Sequence, residues 1–167
     1  MGGAVTHYAA QTSVPVEKSL GEIKGTLARY GASEFGYMEN ATQAAIGFKV
    51  RGWTVRFVLP LPDRASDEFR YRIDGRSSRK FLREPAKQHE AWEQACRQRW
   101  RALALCIKAK LEAVECGITS FEEEFLAHIV LPTTGQTLGE WAIPQLAESY
   151  ESGRSLPLLG MGGTANG

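Results

Sequence analysis

The hydrophobic period of this chain changes twice, from 3.6 residues to 2 and back again, and that succession constrains the fold more than any single motif. A stripe repeating every three or four residues suits one side of a helix, and strict alternation suits one face of a sheet. Val16, Leu20, Ile23, Leu27 and Tyr30 form a helical stripe, with Thr12 or Ser13 as cap, Pro15 and Glu17 in the early turn and Gly31 as terminator. Gly21 and Gly25, four residues apart beside the stripe, are expected to let this helix approach a sheet closely. Residues 34–39 then read as a short strand. Ala44, Ile46, Phe48 and Val50 alternate with Ala45, Gly47 and Lys49, and Trp53, Val55, Phe57 and Leu59 alternate with Thr54, Arg56 and Val58. Asn40-Ala41-Thr42 and Arg51-Gly52 supply the turns, and Pro60 and Pro62 end the meander.

The helical period returns at residue 85. Trp92, Cys96, Trp100, Leu103, Ile107, Leu111 and Val114 mark a helix of residues 85–116, about 45 Å long. Ser120 with Glu123 and Thr137 with Glu140 form two capping boxes for shorter helices, the second holding Pro144, where a kink is expected. The expected fold is α+β: a three- to four-stranded antiparallel meander packed against an N-terminal helix and a long helix, with short C-terminal helices. One domain spans 13–152, between a loose arm at 1–12 and a flexible tail at 153–167.

Charge is sorted along the chain although the net charge is only +1. Residues 64–110 hold thirteen basic and six acidic side chains, and residues 111–153 hold eight glutamates with no Lys or Arg. Such a field attracts phosphates or an acidic partner. The excess of arginine suits bidentate contact with phosphate oxygens. The two segments also suit one another, and the arginines pairing with the C-terminal glutamates, with Trp53 and the aromatics buried, is the competing reading.

Nothing in the chain spells out a reaction. His7, His89 and His128 fall in no metal-ligand spacing, and there is no phosphate-cradling glycine loop or nucleophile elbow. Glu122-Glu123-Glu124 opens a helix, where negative charge complements the dipole. Cys96, Cys106 and Cys116, ten apart on one helix, point in different directions and read as small, largely buried thiols. A non-catalytic protein with no metal and no organic cofactor is expected. Its apolar runs are too short for a membrane span, and its opening residues lack signal-peptide features.

Four stretches carry a resemblance: Tyr8-Ala9-Ala10-Gln11-Thr12-Ser13-Val14-Pro15-Val16-Glu17-Lys18-Ser19, Leu27-Ala28-Arg29-Tyr30-Gly31-Ala32, Arg97-Gln98-Arg99-Trp100-Arg101-Ala102-Leu103-Ala104-Leu105 and Phe121-Glu122-Glu123-Glu124-Phe125-Leu126-Ala127-His128. Through them most of the chain resembles a family of short proteins encoded by tailed phages and prophages, often among genes for DNA metabolism. The resemblance implies a phage origin and a setting in the host cytoplasm, and it brings no catalytic residue with it.

The expected function is therefore that of a phage accessory of DNA metabolism binding single-stranded nucleic acid. Tyr37, Lys49, Arg51 and Arg56, with Trp53 or Thr54, would form a basic, aromatic sheet face. Arg70, Tyr71, Arg72, Arg76, Arg79 and Lys80, near Phe69 and Phe81, would form an arm beside it. Cations neutralise the backbone while aromatic rings stack on bases. The alternative is a module that binds an acidic host or defence protein. In either case the long helix is long enough to pair with its copy in a homodimer.

Overall fold

The computed structural model describes residues 12–73 and 79–153. The elements run α1 (Val16–Arg29), β1 (Glu34–Glu39), β2 (Gln43–Val50), β3 (Trp53–Pro60), α2 (Asp67–Arg70), β4 (Tyr71–Ile73), β5 (Lys80–Leu82), α3 (Pro85–Glu115), α4 (Phe121–Phe125), a 3-10 turn (Leu126–His128) and α5 (Leu138–Ser152). The fold is α+β. A three-stranded antiparallel sheet in the order β1-β2-β3 is accompanied by a separate two-stranded hairpin of β4 and β5. Residues 1–11, 74–78 and 154–167 lie outside the described residues, and with them most of the expected N-terminal arm, Asp74-Gly75, a pair that reads as a turn in the sequence, Arg76 and nearly all of the expected tail.

The alternation along β2 and β3 becomes a difference between two sheet faces. Ile46 lies opposite Phe57 and Phe48 opposite Val55, so these four buried side chains share the inner face. The connecting turn needs positive φ at both central residues, and Arg51 (φ 52°) and Gly52 (φ 87°) supply it. Ile23 and Leu27 from α1, and Trp100, Leu103, Ile107 and Leu111 from α3, join the core over this face. Phe125 meets Phe48 and Phe57 edge-on, at centroid distances of 6.1 and 6.2 Å, which closes the core beneath α4. Tyr30 donates to Glu115 at 2.6 Å and ties the end of α1 to the end of α3.

Both capping boxes form, at Ser120 with Glu123 and at Thr137 with Glu140. The edge of β3 is partly covered: Ile129 bridges Val55, and the amide of Val130 donates to the carbonyl of Thr54 at 2.8 Å. Gly139 is required by packing, because a Cβ there would come within 2.8 Å of the Ala127 carbonyl oxygen.

Three local expectations are corrected. Gly21 and Gly25 face outward with nothing within 4 Å of an added Cβ, so the close approach to the sheet is absent. Cys96 is buried, but Cys106 and Cys116 are exposed, since a ten-residue step carries them off the core side of α3. α1 starts at Val16 with Pro15 at its N-cap and no side-chain cap, so the cap expected from Thr12 or Ser13 does not form.

Candidate nucleic-acid interface

The sequence-predicted residues do not share one surface. The register places Tyr37 opposite Ile46, on the inner face, where its ring stands 5.7 Å from that of Trp100. Lys49 and Arg56 project from the outer face. A strand side chain alternates faces at every residue, so an odd count between paired positions decides the matter. The grouping of Tyr37 with Lys49 and Arg56 is thus corrected by register. Arg51 occupies the β2–β3 turn, while the chain leaves for the hairpin from the other end of β3, beyond Pro60. Eight strand residues separate those ends by more than about 20 Å.

The outer-face cations have partners. Arg56 donates to the Gly135 carbonyl at 2.8 Å and to Glu140 at 2.6 Å, which fastens the start of α5 to β3. Glu140 is held below the usual carboxylate range, first by the Thr137 backbone amide and then by Arg56. Lys49 meets Glu34 at 3.4 Å across the β1–β2 pair. Trp53 donates its indole N–H to Glu122 at 3.0 Å.

The hairpin is different. Its short strands pair Tyr71 with Leu82, Arg72 with Phe81 and Ile73 with Lys80, and the Arg83 amide extends the ladder to the Arg70 carbonyl at 2.8 Å. One side of the ladder therefore presents Arg72, Phe81 and Arg83, and the other presents Tyr71, Ile73, Lys80 and Leu82, while Arg70 ends α2 just before the first strand. The Arg72 guanidinium lies 5.6 Å from the Phe81 ring centre and that of Arg70 lies 5.5 Å from Tyr71. Such contacts hold planar cations beside aromatic faces without neutralising them. The Arg83 Nε donates to the Tyr71 carbonyl at 3.2 Å, and Lys80 reaches Asp67 at 3.3 Å. Among the described residues, Arg70, Arg72 and Arg79 make no ion pair. Phe69 is buried, and the α2 turn that carries it packs on α3, so it anchors the arm.

Intramolecular neutralisation between the two charged segments is slight. Among the described residues, Lys110 with Glu124, at 2.9 Å, is the one ion pair between residues 64–110 and residues 111–153. Arg101 pairs instead with Glu22 of α1, and Arg97 and Lys87 pair with glutamates of their own helix. Sequence reasoning missed Arg83 as a candidate and gave Tyr71 the stacking role that Phe81 fits better. The available signal was the alternation of Arg72 and Arg70 with Phe81 and Arg83 across a hairpin, legible once a register is known.

Among the described residues no group of three His, Cys, Asp or Glu side chains is placed to hold a metal ion. No helix among them is long and apolar enough to cross a membrane. His128 stacks on Phe57 at 4.0 Å, and burial pushes its pKa down, with Lys110 adding to the effect against a backbone hydrogen bond at Arg56. It is a packed side chain at the edge of β3. Comparison with protein-family models, with curated proteins and with solved structures finds no match for this chain.

Proposed function

We propose that this chain binds single-stranded nucleic acid through the β4–β5 arm, as a non-catalytic, phage-encoded accessory of DNA metabolism acting in the host cytoplasm. The observation that carries the reading is the arm's cluster of arginines and aromatic rings, where the Arg72 guanidinium lies beside the half-exposed ring of Phe81 and that of Arg70 beside Tyr71. A guanidinium without an acidic partner offers its fork to phosphate, and an exposed ring offers a face to any base. Arg79 and Lys80 extend the positive field at the start of β5, and Arg76 belongs to the same stretch of sequence. The sheet-face cations Lys49 and Arg56 contribute to the general field rather than to contact. Pairing of α3 with its copy in a homodimer goes with this proposal, and the solution mass checks it.

The test is fluorescence anisotropy with a labelled single-stranded oligonucleotide at two salt concentrations. Binding that weakens steeply with salt supports the reading, because each neutralised phosphate contributes about 0.7 to the logarithmic slope on single strands. No binding at low salt by the folded protein overturns it. A second reading, an acidic host or defence protein as partner, draws on the opposite side of the arm. There Ile73 and Leu82 are 68% and 63% exposed, which is apolar surface suited to a protein contact. Its signature is one captured host protein whose retention depends on Ile73 and Leu82.

A further inference from the structure

Two apolar surfaces of this chain face solvent, and they carry opposite charge. α5 rests on the body through its first turn, where Gly139 packs against Ala127 and Glu140 holds Arg56. Beyond that turn Ile143, Leu146 and Tyr150 follow at spacings of three and four, so they share one face of the helix. They are 62%, 41% and 89% exposed. Gly139 lies one turn before Ile143, so the stripe begins as a packed contact and continues into solvent. Glu148 and Glu151 sit on the same exposed turns and make no ion pair among the described residues. The other surface is the side of the β4–β5 hairpin that bears Tyr71, Ile73, Lys80 and Leu82. Ile73 and Leu82 are its most exposed apolar side chains, and Arg70 lies beside the Tyr71 ring at their border.

Each surface lacks what the other supplies. Among the described residues the basic and acidic segments of one chain meet in a single ion pair, Lys110 with Glu124, so their opposite fields remain largely unmet within the molecule. A second copy brings the complement. Its hairpin sets Ile73 and Leu82, with Lys80 and Arg70 around them, against an apolar stripe on a helix that carries only acidic charge. Contact of α5 with α5 would oppose acid to acid, and contact of hairpin with hairpin would oppose cation to cation, so neither like-with-like arrangement is favoured. We propose that this chain associates with itself, the Ile73 and Leu82 side of one copy's hairpin docking on the Ile143, Leu146 and Tyr150 stripe of another copy's α5. Because the two surfaces differ, the contact either closes reciprocally between two copies or repeats around a ring or along an open chain. It leaves Arg72, Phe81 and Arg83 uncovered, and it does not rest on the nucleic-acid reading.

The experiment is sedimentation velocity of the full chain over a concentration series at low and high salt. A mass that rises with concentration above that of the monomer is expected, and salt is expected to reduce it. A hairpin variant, Ile73→Ser with Leu82→Ser, and an α5 variant, Ile143→Ser with Leu146→Ser, are each expected to weaken association about tenfold or more. Mixed in equal amounts, the two variants are expected to form pairs heavier than either alone, because the α5 variant keeps its hairpin and the hairpin variant keeps its α5. Circular dichroism establishes that each is folded. If the α5 variant unfolds, Tyr150→Ser, at the most exposed position of the stripe, replaces it and is expected to weaken association about fivefold. A mass that stays monomeric up to about 1 mM overturns the proposal and leaves the hairpin's apolar side to a different protein. A dimer unchanged in both folded variants overturns it too, marking pairing through another surface such as α3. So does a mixture of folded variants no heavier than its components.

Discussion

Arg56 and Arg72 are both arginines on β-strands, and they end in opposite circumstances. Around Arg56 the chain returns three times: the 3-10 turn runs along the edge of β3, Gly135 brings a carbonyl, and α5 brings Glu140. The guanidinium becomes a link between elements. Around Arg72, among the described residues, the partner strand brings the ring of Phe81 and no acidic side chain forms an ion pair. A cation surrounded by further chain is drawn into architecture, while one on an isolated hairpin remains available to a ligand. The two regions also differ in what holds them. The sheet is covered by buried side chains from α1, α3 and α4, but the hairpin is attached through Phe69 and α2, and a two-stranded ribbon alone is marginal in water.

The largest expected effect breaks the covered region and leaves the arm's chemistry unchanged. Trp100→Ala removes a ring that is 1% exposed at the centre of α3, and about 3–5 kcal/mol of stability is expected to go with it, measured by chemical denaturation. Next comes the reverse experiment. Arg70→Ala, Arg72→Ala and Arg79→Ala together are expected to change stability by less than about 0.5 kcal/mol, since all three are exposed and unpaired among the described residues. The same triple variant is expected to flatten the salt dependence of oligonucleotide binding by about 2 logarithmic units, at about 0.7 per phosphate contact. A stability loss comparable with that of Trp100→Ala would erase the contrast between the regions.

Two substitutions sharpen it at intermediate size. Gly139→Ala pushes a methyl group against the Ala127 carbonyl and is expected to cost about 1–3 kcal/mol in thermal or urea unfolding without touching the arm. Phe81→Ala is expected to cost about 1–3 kcal/mol of binding with the salt slope unchanged, because stacking releases no counterions. The smallest effect concerns His128. Its folded pKa lies below 6.5, so the unfolded chain takes up its proton first as pH falls. The histidine's contribution is intact above pH 6.5 and is lost on acidification toward the folded pKa. His128→Gln should flatten that part of the stability profile, measured as urea midpoints at about pH 7.5 and about pH 5.

Much of the fold was legible. The stripe from Val16 to Tyr30, the alternations through Phe48 and Phe57, and the two capping boxes each depend on neighbours within a few residues, and each appears where the sequence places it. The candidate site was legible as a charged segment only. Tyr37 reads as a sheet aromatic in sequence, yet its face is decided by the register with β2, and Phe81 gains its role from Arg72 on the partner strand.

Local periodicity, the two capping boxes and the sorting of charge were determined by the sequence itself, because the forces behind them act over one or two turns of chain. The tertiary structure decided which cations have partners. It turned Tyr37 toward Trp100, gave Arg56 to the start of α5, and left Arg70 and Arg72 beside aromatic rings. The physical reason is that an ion pair needs two groups within about 4 Å. That proximity comes from how distant segments pack, which the order of charges along a chain does not specify.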